Sequence, residues 1–185
     1  MNSNLFRNKY KTISNRLPGW DYSWAGYYFF TICTQNRQDF FGEVRNGIMG
    51  LNGLGCVTWK YWYELPKHHL ECILDEFIVM PNHVHGIIQI IELRRDVACN
   101  VSTKCVNDRM SRISPKSGSL STIIRSFKSG CSKTIHEKYD KYFQWQPRFH
   151  DHIIKIDTES LERIRYYIRY NPAIWERDRN NINKD

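Results

Sequence analysis

Several features that would place the chain in familiar protein classes are absent from its sequence. No apolar run approaches the ~18–20 residues that cross a bilayer, and 1–20 hold no apolar segment of the kind that begins a secretory signal. None of the six cysteines forms a CxxC pair, which favours reduced thiols over a disulfide or zinc scaffold. These absences argue against secreted, membrane-spanning and fibrous proteins. They predict a cytoplasmic protein without a membrane partner.

The composition instead fits one globular domain with an excess of positive charge. The 185 residues are 41% hydrophobic, 14% aromatic and 25% charged, the balance of a chain that buries a full core. Lysine and arginine number 27 against 19 acidic residues, for a net charge of +8. The basic excess is concentrated in 1–20 and 94–134. This charge favours a polyanionic partner, nucleic acid first; the alternative is that it serves solubility alone.

Hydrophobic periodicity predicts an antiparallel α+β fold. Aromatic and β-branched runs indicate strands, and apolar residues at helical spacing indicate helices. The predicted elements are a strand over 27–34, a short strand within 42–48, a helix over 51–65 that Pro66 ends, a strand pattern over 70–91 broken at Pro81-Asn82, a helix from Leu120 to about Tyr139, a strand over 149–156, and a helix from near Asp157 or Thr158 to Asn171-Pro172. An antiparallel sheet with the helices on one face fits this order best.

The chain is predicted to have three parts. Residues 1–20 form a basic N-terminal arm, 21–175 a single domain, and 176–185 a charged tail that frays. Within the domain, 94–119 is polar and ends in serine, proline and glycine. That segment is predicted to be a flexible connection or an insertion.

The clearest chemical signal is a histidine pair in MPNHVHGII over 80–88. Alternate side chains of a strand share a face, so His83 and His85 point the same way and Val84 points into the core. Two imidazoles on one face are half of a metal site, which a carboxamide or carboxylate oxygen would complete for Mg²⁺ or Mn²⁺. The alternative is a pair of surface histidines. Gly86 is predicted to let another backbone or a ligand approach closely.

The last predicted helix ends in a tyrosine-rich segment, RYYIRYNP over 165–172. Tyr167 and Asn171 are four residues apart and share one helical face. A tyrosine hydroxyl is a weak nucleophile unless a nearby cation lowers its pKa. A metal at the histidines, Arg165 or Arg169 are candidates for that cation. The alternative for three tyrosines in five residues is packing at a helix end.

A second histidine pair lies in WQPRFHDHII over 145–154. Strand alternation puts His150 and His152 on one face and Asp151 on the other. One of these groups could orient a ligand or contact phosphate, and His152 is predicted to support the site.

These segments, in this order, resemble the IS200-like single-tyrosine transposases, in particular the REP-associated tyrosine transposases. The resemblance runs from about Pro18 to Trp175. Its motifs are LPGWDY over 17–22, YFFTICT over 28–34 followed by Arg37, DEFIVMPNHVHGI over 75–87, WQPRFHDHII over 145–154 and YIRYNP over 167–172.

The resemblance implies an HUH endonuclease (histidine, hydrophobe, histidine), with a central antiparallel sheet and packed helices on a ferredoxin-like or RRM-like plan. It implies that His83 and His85 hold Mg²⁺ or Mn²⁺ against the scissile phosphate of single-stranded DNA, with Asn171 completing the metal site. The family's tyrosine falls on Tyr167, which would form a 5′-phosphotyrosine and free a 3′-hydroxyl. The DNA would carry a hairpin beside the cleavage site.

Basic residues are predicted to follow the DNA backbone. They are Arg125, Lys128, Lys133, Arg148, Arg165 and Arg169. Two other functions stay open: a non-catalytic, domesticated hairpin-binding protein of the same fold, and another HUH enzyme such as a replication initiator or relaxase. Relatives include dimers and monomers, so both a homodimer and a monomer stay open.

Overall fold

The computed structural model describes residues 16–93, 115–156, 158 and 160–182. Within these ranges the chain forms six strands and three α-helices: β1 (Gly26–Cys33), β2 (Gly42–Arg45), β3 (Ile48–Leu51), α1 (Gly53–His68), β4 (Cys72–Met80), β5 (His83–Ile90), α2 (Leu120–Lys138), β6 (His150–Ile154) and α3 (Leu161–Arg169). Short 3-10 helices lie at Gln35–Arg37 and Asn171–Arg177. The predicted α+β class is confirmed.

Four strands form one antiparallel sheet in the order β4-β5-β1-β6. β4 and β5 form the hairpin that the break at Pro81-Asn82 predicts. β5 and β1 are the two central strands, and Thr31 lies opposite His85 in their register. β2 and β3 form a separate hairpin where the sequence predicted a single short strand. The first histidine pair therefore lies in the interior of the sheet.

Helices cover both faces of this sheet. α1 and α2 pack on one face, where Trp62, Phe127 and Ile88 belong to the large core. α3 packs on the other face, where Ile168 joins a smaller cluster with Ile87. The expectation that the helices lie on one face is wrong, because adjacent β5 residues are apolar on opposite sides of the sheet. α3 therefore shares its face with His83 and His85.

Two helix boundaries differ from the prediction. α1 contains Pro66 and continues to His68, because a missing N–H in the last turn costs the helix only one late hydrogen bond. α3 is capped by Ser160, whose hydroxyl accepts a backbone N–H of the first turn. The predicted start of this helix is too early: Thr158 precedes the helix, and Asp157 lies outside the described residues.

Gly86 faces the large core, where aromatic rings fill the space beside it. A Cβ at this position would lie 2.6 Å from Cζ of Phe30 and 3.1 Å from Cδ2 of Phe77. The expectation of a backbone or ligand approaching Gly86 is therefore wrong. The absent side chain makes room for two rings between the sheet and α1.

The C-terminal segment packs on the sheet over its described part. The 3-10 helix extends to Arg177, and Asp178 and Asn180 beyond it are only 5% and 3% exposed. The side chain of Arg37 holds the segment by donating to the carbonyl oxygen of Arg179 at 2.9 Å. The prediction that the chain frays from 176 is thus wrong for 176–182.

Parts of the predicted arm, connection and tail lie outside the described residues, namely 1–15, 94–114 and 183–185. Among the helices that the structure describes, none is long and apolar enough to cross a membrane.

Candidate active site

The histidine pair lies at the start of β5, on the face that α3 covers. His83 and His85 are both fully buried, and their Nε2 atoms are 3.0 Å apart. Val84 between them is buried on the opposite face. The side chains therefore alternate as the sequence predicts, and the alternative of two surface histidines is wrong.

Asn82, in the turn before β5, determines which nitrogen of His83 is free. Its Nδ2 donates to the carbonyl oxygens of Arg37 and Asn180, both at 3.0 Å. Its Oδ1 is therefore the atom that lies 2.9 Å from Nδ1 of His83. An amide oxygen only accepts, so Nδ1 carries the hydrogen and Nε2 carries the lone pair. The sequence indicated a turn at Asn82 but not this orienting role.

Burial keeps both imidazoles neutral. It lowers the pKa of His83 to about 3, with smaller contributions from Arg37 and Arg179. Burial also lowers the pKa of His85 well below its ordinary value, and the neighbouring His83 adds to this. Nδ1 of His85 lies 2.8 Å from the hydroxyl of Thr31, so its Nε2 faces His83. Neutral imidazole is the form that binds a metal ion.

Tyr167 is the tyrosine of α3 that reaches the histidines. Its hydroxyl oxygen lies 3.4 Å from Nε2 of His85, and its ring packs edge-on against Phe29. Tyr166 and Tyr170 instead stack on each other with 4.0 Å between ring centroids, and both are exposed. The helix-end packing that could explain all three tyrosines therefore describes only Tyr166 and Tyr170.

The phenol of Tyr167 is protonated at neutral pH. Burial raises its pKa, and the carboxylate of Asp178 raises it further. Arg179 and a hydrogen bond with Asn171 act in the opposite direction. The cation that lowers the pKa of Tyr167 is thus Arg179 of the C-terminal segment. The sequence did not indicate this residue.

Arg165 and Arg169 were expected near the tyrosine or on DNA, but both are bound to the bulge of β4. Arg165 holds Asp75 in a bidentate contact, with N–O distances of 2.8 and 2.5 Å. Arg169 pairs with Glu76 in the same bulge. Their charges are matched by carboxylates of the same chain. Both arginines anchor the tyrosine helix to the sheet, and of the candidate cations they are not among the groups that lower the pKa of Tyr167.

A third polar group beside the histidines comes from the C-terminal segment. Asp178 is buried, and one of its carboxylate oxygens and the ring nitrogens of His83 and His85 lie within 4.8 Å of one another. Asn171 is fully buried and donates from Nδ2 to Oδ2 of Asp178 at 3.2 Å. Its Oδ1 is buried and has no hydrogen-bond partner in the described structure.

This donor set fits a divalent cation. Two neutral imidazoles, a buried carboxylate and an unpartnered carboxamide oxygen are the ligand types that Mn²⁺ accepts, and the oxygens also suit Mg²⁺. Asp178 was missed because it follows the predicted end of the domain. The apolar run Ala173-Ile174-Trp175 was the available signal, since Trp175 stacks against His83 with 5.9 Å between ring centroids and keeps the chain on the site.

The predicted basic contacts outside α3 lie away from the histidines. Arg125, Lys128 and Arg148 line a cavity on the opposite face of the sheet. Lys133 is exposed on α2 and does not line that cavity. His152 lies on β6 opposite Phe29 of β1, whose ring stacks on His85, so His152 shares the face of the histidine pair, where it is exposed. It is not part of the metal-ligating cluster found among the described residues.

Two proteins of Haemophilus influenzae are similar to this chain. One is uncharacterised and is 36% identical over 167 residues, which is 89% of this chain and 90% of the relative. The other is described as a REP-associated tyrosine transposase and is 25% identical over 158 residues, or 83% of this chain and 73% of that protein. No protein-family model matches the chain.

A solved structure shares the fold. It is a REP-associated tyrosine transposase bound to a REP hairpin, with a TM-score of 0.50, 18% identity, and coverage of 80% of this chain and 67% of that chain. The likeness to this structure is one of fold, that is, an antiparallel sheet with packed helices. The relative described as a REP-associated tyrosine transposase and the shared fold support the resemblance of this chain to the IS200-like single-tyrosine transposases and their REP-associated group.

Proposed function

We propose that the protein is a metal-dependent endonuclease and strand transferase that acts on single-stranded DNA through Tyr167. The distance that carries the proposal is 3.4 Å between the hydroxyl oxygen of Tyr167 and Nε2 of His85. A hydroxyl that can act as a nucleophile and an imidazole that can bind a metal ion therefore lie side by side. Tyr166 and Tyr170 point elsewhere, so Tyr167 is the tyrosine assigned to attack.

In the proposed reaction the hydroxyl oxygen of Tyr167 attacks the phosphorus of a phosphodiester. A bond forms between that oxygen and phosphorus as the bond between phosphorus and the 3′ oxygen breaks. The phenol loses its proton and the departing 3′ oxygen gains one. The product is a 5′-phosphotyrosine and a free 3′-hydroxyl, and the reverse attack by a 3′-hydroxyl rejoins the strand.

The metal would be held by Nε2 of His83 and of His85 and by an oxygen of Asp178 or Asn171. A divalent ion bound there neutralises charge on the phosphate and on the departing 3′ oxygen. Asn82 and Thr31 hold the two rings through Nδ1, which leaves Nε2 of each ring toward the site. Such partners of metal-binding histidines set the ring orientation and the tautomer.

The proposed substrate is DNA with a hairpin beside the cleavage site. The solved relative of similar fold is bound to a REP hairpin, and this chain carries a net charge of +8, which favours a polyanion. The ion pairs of Arg165 and Arg169 tie α3 to β4 of the same chain. We therefore place the tyrosine and the histidines of one chain in one active site.

A denaturing-gel assay tests the proposal. The protein is incubated with a pool of labelled hairpin oligonucleotides and Mn²⁺ or Mg²⁺, and the covalent adduct is measured. We expect an adduct that EDTA abolishes and that Tyr167→Phe lacks. Tyr166→Phe and Tyr170→Phe are matched controls and should retain it. An adduct that persists in Tyr167→Phe would contradict the assignment, and hairpin binding without any adduct would favour the non-catalytic binding protein.

A further inference from the structure

A second polar site lies on the face of the sheet opposite the histidines. It is a cavity of about 830 Å³ beside α2 and the segment that leads into β6. Asp151, at its base, lies opposite Phe30 in the pairing of β6 with β1. Phe30 belongs to the core under α1 and α2, so the cavity opens on that side. It is separated from Tyr167 by the sheet itself.

Two residues that line this cavity each carry a buried polar atom that lacks a hydrogen-bond partner among the described residues. These atoms are Nε1 of Trp145 and the hydroxyl oxygen of Ser121. Trp145 is only 8% exposed, and a buried indole N–H is normally hydrogen-bonded. A ligand with a hydrogen-bond acceptor would satisfy it. Both orphaned atoms therefore indicate that a polar group enters the cavity.

The charge of the lining indicates an anion. The cavity is lined by four basic side chains, those of Arg16, Arg125, Lys128 and Arg148, with Asp151 as the acid. Burial raises the pKa of Tyr22, and the neighbouring carboxylate of Asp151 raises it further, so Asp151 already has a polar neighbour within the protein.

Lys128 builds one wall of this cavity. Its ammonium donates to the carbonyl oxygen of Gln146 at 2.5 Å and to that of Pro147 at 3.4 Å. It thereby holds the backbone between Trp145 and Arg148. Arg125 is exposed at the rim and Arg148 lies on the segment that Lys128 fixes. The exposed guanidinium of Arg125 is therefore the group suited to meet a phosphate.

We propose that this cavity binds one unpaired nucleotide of the DNA strand, with its phosphate at Arg125 and its base at Trp145. The volume suits a small organic ligand rather than an ion alone. Phe149 supplies an aromatic wall for a base. A base within a duplex has its hydrogen-bonding edge paired, so it could not reach a buried indole. The inference rests on the proposed function only in taking single-stranded DNA as the ligand.

Equilibrium binding in EDTA tests this assignment without cleavage. The probe is a fluorescent ten-nucleotide oligothymidine, read by anisotropy over a range of salt concentrations. We expect Arg125→Ala to weaken binding about tenfold and to lower the slope of log affinity against log salt by about 0.7, the value for one single-strand phosphate contact. Lys138→Ala is the matched control, since Lys138 is an exposed cation of the same helix that lies outside the cavity, and its loss should change the affinity by no more than about twofold.

The contact between the base and Trp145 is tested by a separate comparison. An oligonucleotide of the same length that lacks bases should bind the native protein more weakly than oligothymidine. Trp145→Phe keeps an aromatic ring but removes the N–H, so it should reduce this preference. Its thermal unfolding is measured alongside to show that the variant folds. An unchanged preference in a folded Trp145→Phe would overturn the base contact.

Failure of this inference is distinguishable from failure of the proposed function. If the native protein forms the Tyr167 adduct and Arg125→Ala binds DNA as tightly as the native protein, only the cavity assignment is overturned. If the adduct is absent but the Arg125 and Trp145 effects are found, the cavity assignment holds without catalysis. If the native protein binds no oligonucleotide, the nucleotide site is overturned whatever the adduct assay gives.

Discussion

α2 and α3 carry the same sequence signal for DNA binding but use their arginines differently. On α3, Arg165 and Arg169 are bound by Asp75 and Glu76 of β4. On α2, Arg125 is exposed at the rim of a cavity with an excess of basic residues. Basic residues on a helix thus indicate a polyanion only when no carboxylate of the same fold faces them. Arg165 and Arg169 hold the helix that bears Tyr167, whereas Arg125 is the residue proposed to bind a ligand.

The irregularity of β4 makes this difference possible. The pairing of β4 with β5 shifts register between Leu74 and Phe77, so Asp75 and Glu76 fall in a bulge. A bulge re-aims side chains that regular alternation would send to opposite faces. Both carboxylates therefore reach α3, one near each end of the segment that bears Tyr167.

The largest expected effect is a loss of metal affinity on the histidine face that leaves DNA binding on the opposite face unchanged. His83→Ala should reduce Mn²⁺ affinity at least about 100-fold, and Asn82→Ala about tenfold, the lower end for loss of a partner that orients a ligand. The affinity for oligothymidine in EDTA should not change. Calorimetric titration with Mn²⁺ and anisotropy measure the two quantities. Loss of DNA binding in a folded His83→Ala would break the separation of the two faces.

Asp178→Asn refines the same measurement. Replacing the carboxylate by an amide keeps the shape and removes the negative charge, so Mn²⁺ affinity should fall about tenfold if Asp178 is a ligand. Asn171→Ala removes the unpartnered oxygen and is the companion variant. Native Mn²⁺ affinity in Asp178→Asn together with a loss in Asn171→Ala would assign the third ligand to Asn171.

The next prediction compares Arg165, which anchors the tyrosine helix, with Arg125, which is proposed to bind DNA. Arg165→Met keeps the aliphatic stem but loses the bidentate contact to Asp75, so the tyrosine helix is held less well. We expect the rate of adduct formation at saturating DNA to fall about tenfold, since small misplacement of a reacting group is costly. The dissociation constant for DNA should stay unchanged, whereas Arg125→Ala should raise it and leave the saturated rate alone. The reverse pattern would contradict the comparison.

The histidine pair was predictable because its arrangement is local: a period of two on a strand aligns His83 with His85. Helical spacing placed Tyr167 and Asn171 on one face, and the family resemblance selected Tyr167 among the three tyrosines. Asp178 was not predictable in the same way. It lies in a charged segment after the last predicted helix, and such a composition is typical of a frayed chain end. Its burial depends on Trp175, which packs on a ring from a distant strand.

The partners of the arginines were not predictable for a related reason. Arg165 and Asp75 are 90 residues apart, and the register shift that presents Asp75 has no clear sequence signal. The general fold could still be predicted, because an antiparallel sheet follows from the hydrophobic runs alone. What sequence periodicity cannot decide is which of two apolar faces each helix covers, and that choice placed α3 beside the histidines.

Gly86 offers a further test of the two faces because its missing side chain faces only one of them. A Cβ there would lie 2.6 Å from Cζ of Phe30, in the core under α1. Gly86→Ala should lower the free energy of unfolding by about 1–3 kcal/mol through overpacking. Mn²⁺ affinity at His83 and His85 should change little while the protein stays folded. Denaturant unfolding and calorimetry measure these, and metal loss without destabilisation would contradict the sidedness of β5.

The smallest expected effect distinguishes the two arginines of α3 from each other. The side chain of Arg165 is 25% exposed and that of Arg169 is 52% exposed, and water screens the more exposed ion pair more strongly. Arg169→Met should therefore change the saturated rate of adduct formation by less than about twofold, against about tenfold for Arg165→Met. Single-turnover kinetics of both variants make the comparison. Equal losses would mean that Arg169 anchors the tyrosine helix as firmly as Arg165, and that solvent exposure does not govern the strength of this anchor.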